Sequence, residues 1–229
     1  MAIIVGDIHG DVEKVKAFLA YKPEEEHVAL GDYLDSYSEP VDRQLECLSL
    51  LMNSESVLLL GNHECHYLKN PLFRFPGYKP EHAEALQNIL EANLGRFKVA
   101  YAVDNWLCTH SGVVSDYTEQ LSDVTKLADM FNMSWELYLK DRLLNRRAKY
   151  AYQRILEFNY CLFVEGNLLA YNIKQIFGHV EHTHPIVGDN YIALDTTNYD
   201  ESCWIFDTAV NKLGCVETKC KRTEWRHLI

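Results

Sequence analysis

Nowhere in this 229-residue chain does an apolar run approach the ~20 residues that a bilayer crossing needs, which argues against a membrane span. No Gly/Ser/Pro-rich linker, internal repeat, low-complexity tract or charge block divides it, so a single domain over 1–229 is the simplest organisation. Met1-Ala2-Ile3-Ile4-Val5-Gly6-Asp7 has no basic segment ahead of its apolar run and meets a carboxylate at once, unlike an export signal. The seven cysteines are odd in number and none form Cys-x-x-Cys pairs. That pattern disfavours a disulfide framework or a structural zinc and points to free thiols in a reducing cytoplasm. Positive charge is scarce too: the net charge of −11 argues against an extended nucleic-acid groove, and Arg142, Arg146, Arg147 and Lys149 form a dense basic cluster.

What the chain does have is an ordered series of short histidine and carboxylate motifs. They are Gly6-Asp7-Ile8-His9-Gly10, Gly31-Asp32-Tyr33-Leu34-Asp35, Gly61-Asn62-His63-Glu64, Thr109-His110-Ser111-Gly112-Val113 and Gly178-His179. The first three follow apolar runs (Ala2 to Val5, His27 to Leu30, Val57 to Leu60) that read as strands, so their polar residues fall where strand ends open into loops. Between them, Asp11 caps a predicted helix over Val12 to Tyr21, and Pro40 opens another that carries Val41, Leu45, Leu48 and Leu51 inward. A loop rich in aromatics, Pro and Gly follows over Tyr67 to Tyr78, then a helix over Glu81 to Leu94. Phe97 to Val103 and Trp106 to Thr109 read as a hairpin around Asp104-Asn105. A helical, aromatic-rich insertion covers Thr118 to about Tyr160, and short strands are predicted at Lys174 to Phe177, Pro185 to Val187, Tyr191 to Leu194, Cys203 to Phe206 and Leu213 to Glu217. The pattern is α/β, with a β-rich C-terminal third.

These residue types belong together chemically. Divalent Mn, Fe or Zn accepts mixed carboxylate, imidazole and amide-oxygen ligands, and two such ions ~3.5–4 Å apart need a ligand that bridges them. Asp32 is the natural bridge. Asp7 and His9, pointing the same way on an extended strand end, would hold the first ion, and Asn62, His110 and His179 the second. Such a pair lowers the pKa of a bridging water from about 15.7 toward ~7 and supplies a hydroxide for in-line attack on phosphorus. His63 is the candidate general acid for the leaving oxygen, with Asp35 fixing its tautomer; Asn62 also falls within reach of the substrate phosphate. A purely structural account of Asp7, His9, Asp32, Asn62, His63, His110 and His179 would need seven coincidences of type and order.

The motif set GDIHG, GDYLD, GNHE, HSGVVS and GH resembles the phosphoprotein phosphatase family of calcineurin-like metallophosphoesterases, small bacterial or phage type, from Gly6 to about Asp195. The resemblance implies a calcineurin-like β-sandwich flanked by α-helices, two divalent ions with Mn foremost, and hydrolysis of phosphomonoesters on a phosphorylated protein or small phosphorylated metabolite. Similar enzymes cleave dinucleoside polyphosphates, an alternative substrate class in which Tyr67, Phe73, Phe75 or Tyr78 would stack a base. The family's usual GDxxDRG arginine is missing, because Asp35 is followed by Ser36-Tyr37. That absence leaves open a weakly catalytic phosphate-binding module. Phosphate recognition would then fall to Arg146 or Arg147, with Arg142, Arg43 and Arg74 as other candidates. His182 and His184 do not match the Gly-His-x-His spacing of related enzymes and are left outside the metal shell, His66 reads as a surface or core residue, and Cys65 as structural.

Overall fold

A computed structural model of the chain describes residues 1–36, 38–69, 71, 74–140, 169–197, 202–218 and 223–226. The first part alternates strands and helices: β1 (Ala2–Val5), α1 (Val12–Ala20), β2 (Glu26–Ala29), α2 (Val41–Met52), β3 (Val57–Leu59), the single turn α3 (Asn62–Cys65) and α4 (Ala83–Ala92). Next come β4 (Phe97–Lys98), β5 (Ala100–Val103), β6 (Trp106–Thr109), α5 (Val124–Lys140) and β7 (Lys174–Phe177). The remaining strands are β8 (Ile186–Val187), β9 (Tyr191–Ala193), β10 (Ser202–Asp207), β11 (Lys212–Glu217) and β12 (Thr223–Arg226).

The strands form two sheets, one in the order β12-β11-β10-β1-β2-β3-β4 and the other β5-β6-β7-β9-β8. β1, β2 and β3 are parallel, as are β6 and β7, so each ends in a loop at its own C-terminal edge. β1 is apolar throughout because both faces are covered. Ile3 and Val5 pack with Val12, Phe18 and Leu48 on the helical side, while Ala2 and Ile4 join Val28, Leu59, Cys108, Ile176 and Phe206 between the sheets. α1 and α2 lie against each other on the outside of the larger sheet, and α5 packs on β5 and β6 of the smaller one. The molecule is therefore a mixed α/β sandwich with helices on its outer faces.

The expected start of α1 holds. The Asp11 side chain accepts from the Glu13 and Lys14 amides, turning the chain sharply into α1. Pro40 is the cap residue of α2 and not its first helical residue. The single strand expected over Phe97 to Val103 divides: Phe97–Lys98 pairs with β3 in the larger sheet and Ala100–Val103 with β6 in the smaller one. The chain changes sheets at Val99, whose amide is taken by the Asn132 side chain of α5. The Tyr67 to Tyr78 segment is a loop as expected, but Tyr67 and Leu68 are buried in the core. β12 was not anticipated. Among the described residues no helix is long and apolar enough to cross a membrane.

Candidate active site

Five described segments at strand ends of the larger and smaller sheets bring the motif residues to one place. Asp7 and His9 follow β1, Asp32 and Asp35 follow β2, His110 follows β6 and His179 follows β7, while Asn62 and His63 open α3. His9 does not sit on an extended strand end as the spacing suggested. Its φ is 47°, and its amide and that of Ile8 donate to the Asp32 carbonyl, so the loop after β1 folds over the loop after β2. His9, Asp32, Asp35 and His179 are four of seven non-glycine residues at positive φ among those described. L-residues enter that region at a cost of about 1–3 kcal/mol, so the surrounding bonds must hold these side chains in place.

Glu64 provides much of that hold. It is fully buried and its carboxylate accepts from the amides of Asp32, Tyr33 and Gly61, joining the loops after β2 and β3. Asp7 is pinned likewise by the His179 amide at 2.9 and 3.1 Å. A Cβ at Gly61 would overlap Asp32 Oδ1, and one at Gly178 would overlap Asp7 Oδ1. Those two motif glycines are present because a carboxylate occupies the space.

Two clusters of ligand-type atoms meet at Asp32, one with His9 and His63 and the other with His110 and His179. In the second, His110 Nε2 lies 2.9 Å from Asn62 Oδ1, 3.1 Å from His179 Nδ1 and 3.3 Å from Asp32 Oδ2. His110 Nδ1 faces the Leu30 carbonyl at 2.9 Å, so the neutral ring carries its proton there and turns the Nε2 lone pair inward. His9 repeats the arrangement, with Nδ1 donating to the Leu34 carbonyl at 2.7 Å and Nε2 turned 4.0 Å from Asp7 Oδ2. Lone pairs of nitrogen and oxygen converging in a buried space suit a divalent cation, and backbone carbonyls fix the ligand tautomers. The electrostatics agree. Burial, then the charges of Asp195 and Asp32, push the Asp7 carboxyl well above its usual range. Burial and the neighbouring His110 hold His179 down at about 3, in the neutral form a metal ligand needs. Burial works against the charge on Asp32, but His110 and His63 outweigh it and hold that carboxyl well below its usual range.

His63 is arranged differently. Its Nδ1 donates to Asp35 Oδ2 at 2.8 Å, and its Nε2 faces the site, 3.9 Å from Asp32 Oδ2. Burial disfavours its charge, yet Asp32 and Asp35 raise it to about 9. Burial also opposes ionisation of Asp35, whose bonds to His63, His66 and Tyr67 nevertheless bring it down to about 2.

A description of the family fits this geometry. The calcineurin-like phosphoesterase family model matches residues 2–184. The chain belongs to that family. It is a metal-dependent phosphoester hydrolase, and the histidine and aspartate clusters supply candidate divalent-metal ligands. Solved structures with the same fold include a cold-active protein-tyrosine phosphatase of a psychrophilic Shewanella, at 14% identity and a TM-score of 0.64, covering 98% of this chain and 79% of that one. A further cold-active protein tyrosine phosphatase structure matches at 16% identity and a TM-score of 0.61, covering 98% and 78%. At such identity the likeness concerns the fold.

The remaining candidates separate. Arg142, Arg146 and Arg147 lie outside the described residues, as does Phe73. Arg43 is engaged by Glu46 at 2.7 Å, Glu39 and Glu13, and Arg74 lies over the Tyr78 ring, 4.5 Å from its centroid. Ser36 Oγ accepts from the amides of Ser38 and Glu39, so it shapes the turn into α2. Beside it, a cavity of ≈ 90 Å³ reaches from His9 to Thr197, with Lys14 the one lysine or arginine among its described lining residues. His182 and His184 join neither cluster: the His182 amide donates to the Asp195 carbonyl, and the His184 ring lies 6.4 Å from that of Trp204. Cys65 Sγ donates to the Gly61 carbonyl, a structural bond within its turn. His66 is buried as one of its expected roles required, but against Asp35. Its signal in the sequence was the i, i+3 spacing from His63, which puts both rings on one side of a helical turn.

Proposed function

We propose that the protein is a dinuclear metal-dependent phosphomonoester hydrolase of the phosphoprotein phosphatase type, acting on a phosphorylated protein or small phosphorylated metabolite. The observation that supports this reading is the convergence on Asp32 of His110 and His179 in one cluster and of His9 and His63 in the other, with Asp7 Oδ2 4.0 Å from His9 Nε2 and outside both clusters. In this scheme Asp7, His9 and Asp32 hold one cation, Asp32, Asn62, His110 and His179 the other, and the Asn62 amide also meets the substrate phosphate. Bound divalent ions, Mn foremost, supply Lewis acidity toward the phosphoryl oxygens and lower the pKa of water. The chain's own residues do the rest. His63 holds a proton on Nε2 and delivers it to the leaving oxygen, and Asp35 keeps the ring aimed and charged. Arg146 or Arg147 would grip the phosphate in place of the absent GDxxDRG arginine.

A dinucleoside polyphosphate would need an aromatic face free to stack a base. Tyr78 is engaged by Arg74 on its ring and by Tyr67, 5.2 Å away, which favours the monoester reading. The test is a hydrolysis screen of phosphopeptides, small phosphomonoesters, nucleotides and dinucleoside polyphosphates with controlled Mn²⁺. Phosphomonoesters should rank first. Preferred cleavage of dinucleoside polyphosphates would reverse the substrate assignment, and metal binding without release from any substrate would make the protein a phosphate-binding module.

A further inference from the structure

The Asp35 carboxylate receives more than His63. Tyr67 Oη donates to Oδ1 at 2.5 Å, and His66 Nε2 lies 2.5 Å from Oδ2, the oxygen that His63 Nδ1 also contacts. His66 Nδ1 accepts from the Phe75 amide at 3.2 Å, so in the neutral ring the proton sits on Nε2, the nitrogen facing Asp35. That nitrogen is buried without any other polar partner, and its approach is oblique, which makes the contact electrostatic more than a straight hydrogen bond. The two rings are held in turn by the loop that follows. The Lys79 amide donates to Tyr67 Oη, Lys79 Nζ donates to the Ser36 carbonyl beside Asp35, and Gly77 leaves room for the His63 ring, which an added Cβ would meet at 3.2 Å.

We propose that His66 and Tyr67 are positioning residues for the His63 acid. By occupying both oxygens of Asp35 they stop the carboxylate from rotating, and so fix the direction in which His63 Nε2 presents its proton. The aromatic loop over 74–79 is then a brace for acid catalysis and not a substrate platform. A hydrogen-bonded carboxylate with a single partner can pivot about its Cβ–Cγ bond; one met from both sides cannot without breaking a charge-assisted contact. This inference rests on the proposed phosphomonoesterase reading.

Two substrates separate a positioning role from a structural one. A phosphoserine peptide has a poor leaving group that needs the proton, whereas para-nitrophenyl phosphate has a good one that does not. Tyr67→Phe should lower kcat on the phosphopeptide by roughly tenfold, with KM within about twofold, and leave para-nitrophenyl phosphate within about twofold. His66→Met, which keeps volume but loses the donor, should act in the same direction, and His66→Gln, which restores an N–H at a similar reach, should recover most of the loss. Metal content by elemental analysis should match the unsubstituted protein in all three. Equal losses on both esters, a change in KM alone, or no rescue by Gln would overturn the inference while leaving the proposed function intact. Loss of a metal equivalent in His66→Met would overturn it differently, by making Asp35, His63 and His66 a cation site. If the Mn²⁺-loaded parent hydrolyses neither ester, the proposed function fails and the inference with it.

Discussion

On the one hand, His9 and His110 have their ring protons drawn away from Asp32 by the Leu34 and Leu30 carbonyls, and His179 is held down at about 3. On the other, His63 directs Nδ1 at a carboxylate and is raised to about 9. The far nitrogen sets where the ring proton sits: a carbonyl there leaves Nε2 of the neutral ring as a lone pair toward Asp32, while Asp35 on Nδ1 of His63 adds to the pull of Asp32 and keeps a proton on Nε2. Burial opposes the charge on each ring; His9 is lowered by burial and then by His63, whereas Asp32 raises His110, and Asp32 followed by Asp35 raises His63.

The comparison can be broken most completely at its centre. Asp32→Asn removes the negative charge shared by both clusters, and the expected outcome is loss of at least one metal equivalent and nearly all turnover, read by elemental analysis and phosphate release. Two bound metals with near-normal activity would refute the bridging assignment. On the acid side alone, His63→Asn should reduce kcat by ~10²–10⁴-fold on poor leaving groups and less on para-nitrophenyl phosphate, with metal retained. Metal loss there would erase the distinction between the two sides.

Beyond Asn62, phosphate recognition in the proposed scheme falls to an arginine, and a smaller loss is expected from it. Alanine at whichever of Arg146 and Arg147 grips the phosphate should lower kcat/KM at least tenfold, about 1.4 kcal/mol, by raising KM. Ser36→Arg should raise kcat/KM on small phosphomonoesters, since the serine hydroxyl is occupied in a turn. Steady-state kinetics on both variants would check this.

The mildest test is titration of the metal-free chain. His63 sits at about 9 against an ordinary 6.5, so its pairing stabilises the fold fully below pH 6.5 and is lost as pH rises through 9. Asp35 sits at about 2 against 3.8, so its contribution is present above 3.8 and is lost as pH falls through 2. Asp35→Asn should therefore flatten the decline in melting temperature between pH 7 and 9 seen by calorimetry, and move the His63 NMR titration down toward 6.5.

The first half of the fold was legible because each metal-type motif follows an apolar run, and a strand buried on both faces must be continuously apolar. The ordered motifs also brought the ligand candidates together. What could not be read was local backbone shape. Alternation assigns His9 a direction only while the chain is extended, and its left-handed φ ends that rule. The break at Val99 was hidden because a strand crossing from one sheet to another stays apolar. Glu64 was given no role and Tyr67 only that of stacking a base, since a carboxylate and a hydroxyl that meet main-chain or Asp35 partners leave no periodic trace in the sequence.

The contact between the Asp7 carboxylate and the His179 amide spans 172 positions of sequence and joins an end of one sheet to an end of the other. Non-local closure of this kind comes late in folding, because the loop entropy must be met before the contact forms. In the proposed centre a nascent chain that had emerged only through α3 would already carry Asp7, His9, Asp32 and Asn62, yet it would lack His110 and His179. Full cation affinity would then arise only once β6 and β7 had docked, so metal uptake during refolding would serve as a clock for the closing of the sandwich.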